Sequence, residues 1–156
     1  MITADDFGMC PPVNEAIMNC KVDRVGLIIV SPYSEEAIQY CLKHPEIEVD
    51  AHIVLDDEFN IGFDLKTIKE QLELFKIRGI KYSRITSHMF RFKDDRKDCT
   101  WESYQIRPEA KKDYYDFVIK NFPDKEIIIH PATEEMKNYS PWWESYIKDY
   151  EYFKNY

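Results

Sequence analysis

The sequence predicts an α/β fold in which mostly parallel strands form an incomplete or distorted (β/α) barrel. Short apolar stretches alternate with segments of helical periodicity, a pattern typical of parallel strands joined by right-handed crossovers. The chain has 156 residues, whereas a complete eight-unit barrel typically needs about 250. No linker, repeat or low-complexity tract interrupts the sequence, so we expect a single domain over residues 1–156.

The predicted strands are short and apolar, and each is followed by a turn or a helix start. The second is a continuous apolar run, G-L-I-I-V, which is typical of a strand buried on both faces. Taken in chain order, the predicted strands cover residues 1–4, 26–30, 47–55, 82–87 and 126–130.

The predicted helices begin at proline or capping residues and end at glycine or proline. Pro11 and Pro12 open the first helix, Ser31-Pro32 caps the second, and Asp64 caps the third, which Gly79 ends. The predicted helices cover residues 11–20, 31–44, 64–79 and 109–121, followed by an aromatic-rich helix from Ser140-Pro141.

Composition excludes several classes of protein. The 29 acidic and 21 basic residues give a formal net charge of −8, which argues against a surface for nucleic acid or anionic membranes. No signal peptide or membrane-spanning apolar run is apparent. The cysteines lack zinc-site spacing, and we expect reduced thiols in a soluble, cytoplasmic protein: Cys10, Cys20, Cys41 and Cys99.

Polar side chains collect where the predicted strands end. Asp5 and Asp6 follow the first strand, and three histidines lie within or at the ends of later ones: His52, His88 and His130. The carboxyl ends of parallel strands form one rim, where ligand sites gather. Two carboxylates and three imidazoles at one rim are typical of a metal centre with a position left for water.

A structural interpretation of the same residues stays open at this point. A histidine at a strand end is more often a hydrogen-bonded structural residue than a ligand, and adjacent aspartates can cap the helix that follows them. Residue spacing alone leaves these two interpretations close to even.

Four motifs carry a resemblance to a known family. A-D-D-F-G resembles the opening motif of the YdjC-like, or ChbG-type, carbohydrate deacetylases. The stretch from S-P-Y-S-E-E to V-D-A-H-I-V-L is similar to the family segment that leads into its metal-binding histidine. T-S-H-M-F and I-I-I-H-P-A are similar to the two later histidine motifs. The motifs keep the family's order across most of the chain.

The resemblance implies a polysaccharide-deacetylase-type barrel that removes N-acetyl groups from amino-sugar oligo- or polysaccharides. By position, a divalent metal ion, Zn or Mg, is held by Asp6, His52 and His88. Asp5 then acts as general base, and His130 acts as general acid or orients the leaving group. The implied partner is an acetylated amino sugar, with no nucleic acid or membrane, and a homodimer is left open.

This chemistry accounts for the residue types. An amide carbonyl resists neutral water, so a metal ion is needed to lower the pKa of water and polarise the carbonyl. A carboxylate can take the proton of that water, and an imidazole can serve the departing amine. The charge of the ion also offsets the repulsion between adjacent aspartates.

Departures from the family pattern suggest a second function. Ala51 replaces a glycine, Thr86 an aspartate, and Met89 and Phe90 two histidines. The chain is also short, and its beginning is consistent with a truncated or different start. The alternative is therefore a catalytically impaired relative that binds a saccharide or a protein. A third hypothesis, an iron(II) oxygenase, follows from two histidines and one carboxylate, although an α/β fold disfavours it.

Two further features have a functional and a structural interpretation. The aromatic residues of the last predicted helix can stack on sugar rings, but a helix that covers one end of the core is the stronger expectation. Arg107 can bind an acidic substrate group, and a solvated loop charge is the stronger expectation there.

Overall fold

The computed structural model describes residues 1–90, 101–102 and 106–156, and its centre is a parallel sheet of six strands. The sheet order is β4-β3-β2-β1-β6-β5, and the sheet curls into half a barrel, so β4 and β5 form its two edges. The predicted α/β incomplete barrel is confirmed. The strands are β1 (Ile2–Phe7), β2 (Arg24–Leu27), β3 (Glu48–Ile53), β4 (Ile85–Ser87), β5 (Trp101–Glu102) and β6 (Ile127–Ile129).

All five predicted helices are present, with ends that differ by a few residues. They are α1 (Pro11–Met18), α2 (Ser34–Lys43), α3 (Ile68–Ile77), α4 (Lys111–Asn121) and α5 (Trp143–Phe153). Short 3-10 turns lie at His88–Phe90, Pro108–Ala110 and Glu134–Asn138. None of the helices in the described part of the chain is long and apolar enough to cross a membrane.

Four local predictions are wrong. Ser31 does not cap α2, because this helix begins at Ser34 with Tyr33 at the N-cap position and without a side-chain cap hydrogen bond. β1 continues to Phe7 instead of ending at residue 4. Thr67, and not Asp64, caps α3, because its hydroxyl accepts a hydrogen bond from the Glu70 amide while the Glu70 carboxylate accepts one from the Thr67 amide. β5 was not predicted, since a strand of two residues carries no periodicity.

The two faces of the sheet differ in polarity. The apolar face packs under the helices and forms the core, through residues such as Val25, Val49, Ala51, Ile53 and Ile127. The other face is polar, because inward positions in register pair Thr3 with Arg24, Arg24 with Glu48 and His52 with Thr86. The concave face of the half-barrel is therefore lined with polar and charged side chains.

A charged cluster fills the concave face near the amino ends of the strands. Arg84 binds Asp50 (Nη2 to Oδ2, 2.7 Å) and Glu126 (Nη2 to Oε1, 2.7 Å). Arg24 binds Glu48 and lies 3.8 Å from Asp50 and 3.6 Å from Glu126. Asp50 is fully buried, so the cluster keeps its charges paired away from water.

Candidate active site

An irregularity at the end of β1 places both aspartates of the first motif on one cavity. The register of β1 with β2 shifts between Ala4 and Phe7, and Asp6 has a left-handed backbone with φ of 67°. In a regular strand, successive side chains point to opposite faces, and a bulge changes this direction. As a result, Asp5 and Asp6 line the same cavity.

Asp6 meets two histidines at the carboxyl end of the sheet. Its Oδ1 lies 2.8 Å from His88 Nδ1 and 3.3 Å from His52 Nε2. One ligand atom from each of the three residues lies within 4.8 Å of the others. All three side chains are 3% exposed, so this carboxylate and its two imidazoles form a compact, buried cluster.

The donor set and its geometry fit a divalent metal ion. Bonds of about 2.0–2.2 Å to one ion place ligand atoms roughly 3–3.5 Å apart, close to the separations seen around Asp6 Oδ1. The nitrogen that His88 directs at Asp6 Oδ1 is Nδ1, so Nδ1 is the atom of His88 that an ion shared with Oδ1 would bind. Asp6, His52 and His88 can therefore bind a metal.

The pKa values in the cluster reflect burial and charge. Burial raises the pKa of Asp6, but the charge of His88 and the hydrogen bonds from His52 and His88 outweigh it, and the pKa is well below its usual range. Burial lowers the pKa of His88, whereas the charge and hydrogen bond of Asp6 outweigh it and leave that pKa raised. Without a metal ion, Asp6 and His88 therefore form an ion pair.

Thr86 holds one of the imidazoles in place. Its hydroxyl lies 2.7 Å from His52 Nδ1 in a buried hydrogen bond, which leaves His52 Nε2 directed at Asp6. Partners of this kind fix the ring orientation of metal-binding histidines. Thr86, a departure from the family motif, thus supports the cluster.

Asp5 and His130 face each other on the other side of the cavity. Asp5 Oδ2 lies 4.0 Å from His130 Nε2. The Asp5 carboxylate has room at this position because residue 26 is glycine. A Cβ at residue 26 would lie only 2.3 Å from Asp5 Oδ1. Burial lowers the pKa of His130, and the charges of Asp6 and Asp5 oppose this only in part, which favours a neutral imidazole.

Helix α5 contributes two residues that the motifs did not indicate. The Tyr146 hydroxyl lies 3.4 Å from Asp6 Oδ2, and burial raises the pKa of Tyr146 well above its usual range, so the hydroxyl donates. Asp149 Oδ2 accepts from the His130 amide at 2.8 Å, and its Oδ1 is bound by Lys111 and Tyr115. Residues 146 and 149 share the buried face of the helix with Ile147 and Phe153, so helical spacing alone does not identify them as site residues.

The cavity has a volume of about 470 Å³ and opens between the site and the start of α5. Trp142 lines it and is 50% exposed, with its ring 5.7 Å from that of Phe59. Arg107 and Glu144 also line it. Most of the aromatic residues of α5 instead join the core, as Tyr146 and Phe153 do. The opening therefore offers one half-exposed ring and charges of both signs.

The structure brings all five predicted site residues to one cavity. Asp6, His52 and His88 form the compact cluster, and Asp5 and His130 lie beside it. Sequence reasoning did not assign site roles to Gly26, Tyr146 or Asp149. The alternation in E-V-D-A-H-I, which puts Asp50 and His52 on one face, was a further signal in the sequence.

Comparisons with known proteins agree with this architecture. Residues 1–65 match the family model described as YdjC-like protein. A search of curated protein sequences gives no match. The fold is similar to the crystal structure of a "putative cellobiose-phosphate cleavage protein" from Enterococcus faecalis V583, with a TM-score of 0.63 and 20% identity over 99% of this chain and 89% of that one. The resemblance to YdjC-like proteins is thereby confirmed over residues 1–65, which carry Asp5, Asp6 and His52.

Proposed function

We propose that the protein is a metal-dependent hydrolase that removes N-acetyl groups from amino-sugar oligo- or polysaccharides. The observation that carries this proposal is the meeting of Asp6, His52 and His88 beside Asp5 and His130 in one cavity. The YdjC-like match over residues 1–65 supports a carbohydrate-processing role.

Asp6, His52 and His88 are the residues that would hold the metal ion. Two imidazole nitrogens favour zinc or a similar transition metal over magnesium, which prefers oxygen ligands and keeps several waters. A divalent ion held there supplies Lewis-acid activation of a water molecule and of the amide carbonyl.

The other residues move protons and orient the substrate. Asp5, fully buried beside this cluster, accepts the proton of the attacking water as general base. His130, 4.0 Å from Asp5, orients the amine leaving group and passes a proton to it. The lowered pKa of His130 favours a neutral imidazole that relays the proton from Asp5. Amide cleavage then releases acetate and the free amino sugar.

The cavity supports a carbohydrate substrate. Trp142, half-exposed at the opening, can stack on the apolar face of a sugar ring. Arg107, exposed at the same opening, can bind an acidic group of the substrate. The description of the Enterococcus faecalis neighbour names a sugar phosphate, which is consistent with a saccharide ligand here.

Metal content and acetate release test the proposal together. The purified full chain should bind one equivalent of Zn²⁺ in calorimetric titration and release acetate from N-acetylated chito-oligosaccharides. His52→Ala should abolish both, whereas His44→Ala should change neither, because His44 lies on the surface beside Glu46. A wild-type protein that binds no divalent ion would end this proposal.

A catalytically impaired relative that binds a saccharide or a protein is the second candidate. Ala51 and Met89 at motif positions favour it. It predicts that Asp5→Asn leaves every measurable function intact, whereas the hydrolase loses turnover in this variant. Acetate release without oxygen would exclude the iron(II) oxygenase hypothesis. A cytoplasmic location and a homodimer stay predictions.

A further inference from the structure

Helix α5 reaches the candidate metal ligands through one side chain. Tyr146 lies on the buried face of α5, and its carbonyl accepts a hydrogen bond from the Ala132 amide at 3.2 Å. Its ring lies 6.0 Å from that of His130, at 71°. These contacts fix the ring between the end of β6 and the cluster around Asp6.

The two oxygens of Asp6 have different partners. Oδ1 faces both histidines, at 2.8 Å and 3.3 Å. Oδ2 faces the Tyr146 hydroxyl, at 3.4 Å. A carboxylate with these partners can bind a metal ion through one oxygen while its other oxygen accepts a hydrogen bond.

The backbone of Asp6 is unusual at the point where its side chain leaves β1. Its φ of 67° is uncommon for a residue other than glycine. The side chain therefore points in a different direction from that of a residue in a regular strand. A hydrogen bond from a rigid, buried ring then restrains the rotation of the carboxylate.

We propose that Tyr146 is a positioning residue for the metal site: its hydroxyl holds Asp6 Oδ2 so that Asp6 binds the ion through Oδ1 alone. This inference rests on the proposed function, because it requires the metal site. It assigns a role to a helix that lies outside the part of the chain matched by the family model.

The main test is the Zn²⁺ affinity of Tyr146→Phe, measured by titration calorimetry. Loss of a residue that holds a metal ligand typically weakens binding 10- to 100-fold, and we expect a loss of about that size with the thermal unfolding temperature within a few degrees of wild type. Tyr150→Phe is the matched control, since Tyr150 lies on the same helix but does not line the cavity. It should bind Zn²⁺ as the wild type does.

Cobalt substitution gives a readout independent of affinity and activity. In the wild type, bound Co²⁺ should show the intense visible absorption that is typical of a four-coordinate, tetrahedral site. In Tyr146→Phe, Asp6 is free to bind through both oxygens, so the absorption should weaken as the coordination number rises.

The outcomes separate the two proposals. A wild-type protein without metal affinity overturns the proposed function and this inference together. A wild type that binds Zn²⁺ and a Tyr146→Phe variant that binds it equally well overturn only the role of Tyr146. If Tyr146→Phe does not fold, a crystal structure of the wild type with Zn²⁺ decides: Asp6 bound through one oxygen supports the role, and Asp6 bound through both overturns it.

Discussion

Arg84 and Glu126 join opposite sides of the half-barrel across its concave face. Arg84 precedes β4 and Glu126 precedes β6, two strands separated in the sheet by β3, β2 and β1. Two hydrogen bonds connect them, Nη1 to Oε2 at 2.9 Å and Nη2 to Oε1 at 2.7 Å. The pair therefore restrains the curvature that brings His88 and His130, the residues directly after β4 and β6, to one cavity.

Arg84→Met should destabilise the fold strongly. The substitution removes the closest cation from Asp50, which is fully buried, and leaving one partner of a buried ion pair uncompensated costs about 3–5 kcal/mol. Arg24, 3.8 Å from Asp50, should keep the loss near the lower value. Urea unfolding measures it.

The matched control is Arg78→Met. Arg78 pairs with Glu35 at 2.7 Å, but on the surface, where such pairs contribute about 0–1 kcal/mol. Equal losses for the two variants would contradict a structural role for the internal pair.

Gly26→Ala should reduce turnover without removing the metal site. The new Cβ would lie 2.3 Å from Asp5 Oδ1, so the carboxylate must move, and a displacement of about 1 Å can cost roughly 10²-fold in rate. We expect acetate release to fall by at least about that factor while Zn²⁺ affinity changes only a few-fold.

Gly79→Ala provides the control for general destabilisation. Its backbone has φ of 70° and its Cβ would meet no atom within 4 Å, so strain should lower stability by about 1 kcal/mol at unchanged turnover. Full activity in Gly26→Ala would argue against Asp5 as the base.

Lys111 should make stability rise with pH in the alkaline range. Burial lowers the pKa of Lys111 below its usual 10.5, against the opposing charge of Asp149. Between the folded-state pKa and 10.5, the unfolded chain holds a proton that the folded protein has released, so the free energy of unfolding increases with pH. Urea unfolding of wild type and Lys111→Met from pH 7 to 10.5 isolates this contribution as a difference. A constant difference would contradict it.

His130 should determine the acidic side of the pH profile of turnover. Burial lowers the pKa of His130 below 6.5, so a reaction that needs the neutral imidazole loses activity only as pH falls below that value. His130→Gln should lower turnover about 10²- to 10⁴-fold and remove this limb. Bound metal measured at each pH serves as the control. Activity that instead increases toward low pH would indicate that His130 acts in its protonated form.

Three cysteines should resist thiol reagents while the protein is folded. Burial raises the pKa values of Cys10, Cys20 and Cys41 to about 12, so only about one thiol in 10⁴ is ionised at pH 8. Mass spectrometry after treatment with iodoacetamide should find these three unmodified until urea unfolds the chain. Cys99 lies outside the described residues.

The sequence was sufficient for the fold class because its signals are local and repeated. Alternating apolar strands and periodic helices predicted five of the strands and all five helices. The α3 cap was assigned to Asp64 because several polar residues precede that helix, and only the reciprocal bonds of Thr67 and Glu70 identify the cap.

The grouping of the candidate residues could be predicted from the sequence, but the contacts that support them could not. Asp5, Asp6, His52, His88 and His130 follow from strand ends and motifs, whereas the bulge that turns Asp6 into the cavity depends on tertiary contacts. The contacts of Tyr146 with Asp6 and of Asp149 with His130 connect residues far apart in the chain. Without the topology, nothing in a helix of aromatic residues distinguishes these two from core residues.

The two faces of the sheet have opposite polarity, so the apolar side chains that drive folding and the side chains proposed to act in the site lie on opposite faces. Burial of hydrocarbon takes place on the convex side, under the helices, while the imidazoles and carboxylates project from the same backbone toward the inside. Exchange of an inward side chain at the rim, away from the buried ion pairs of Arg84, thus leaves the main driving force of folding in place. Such a framework can accommodate new ligands or new substrates at its rim with little loss of solubility or yield.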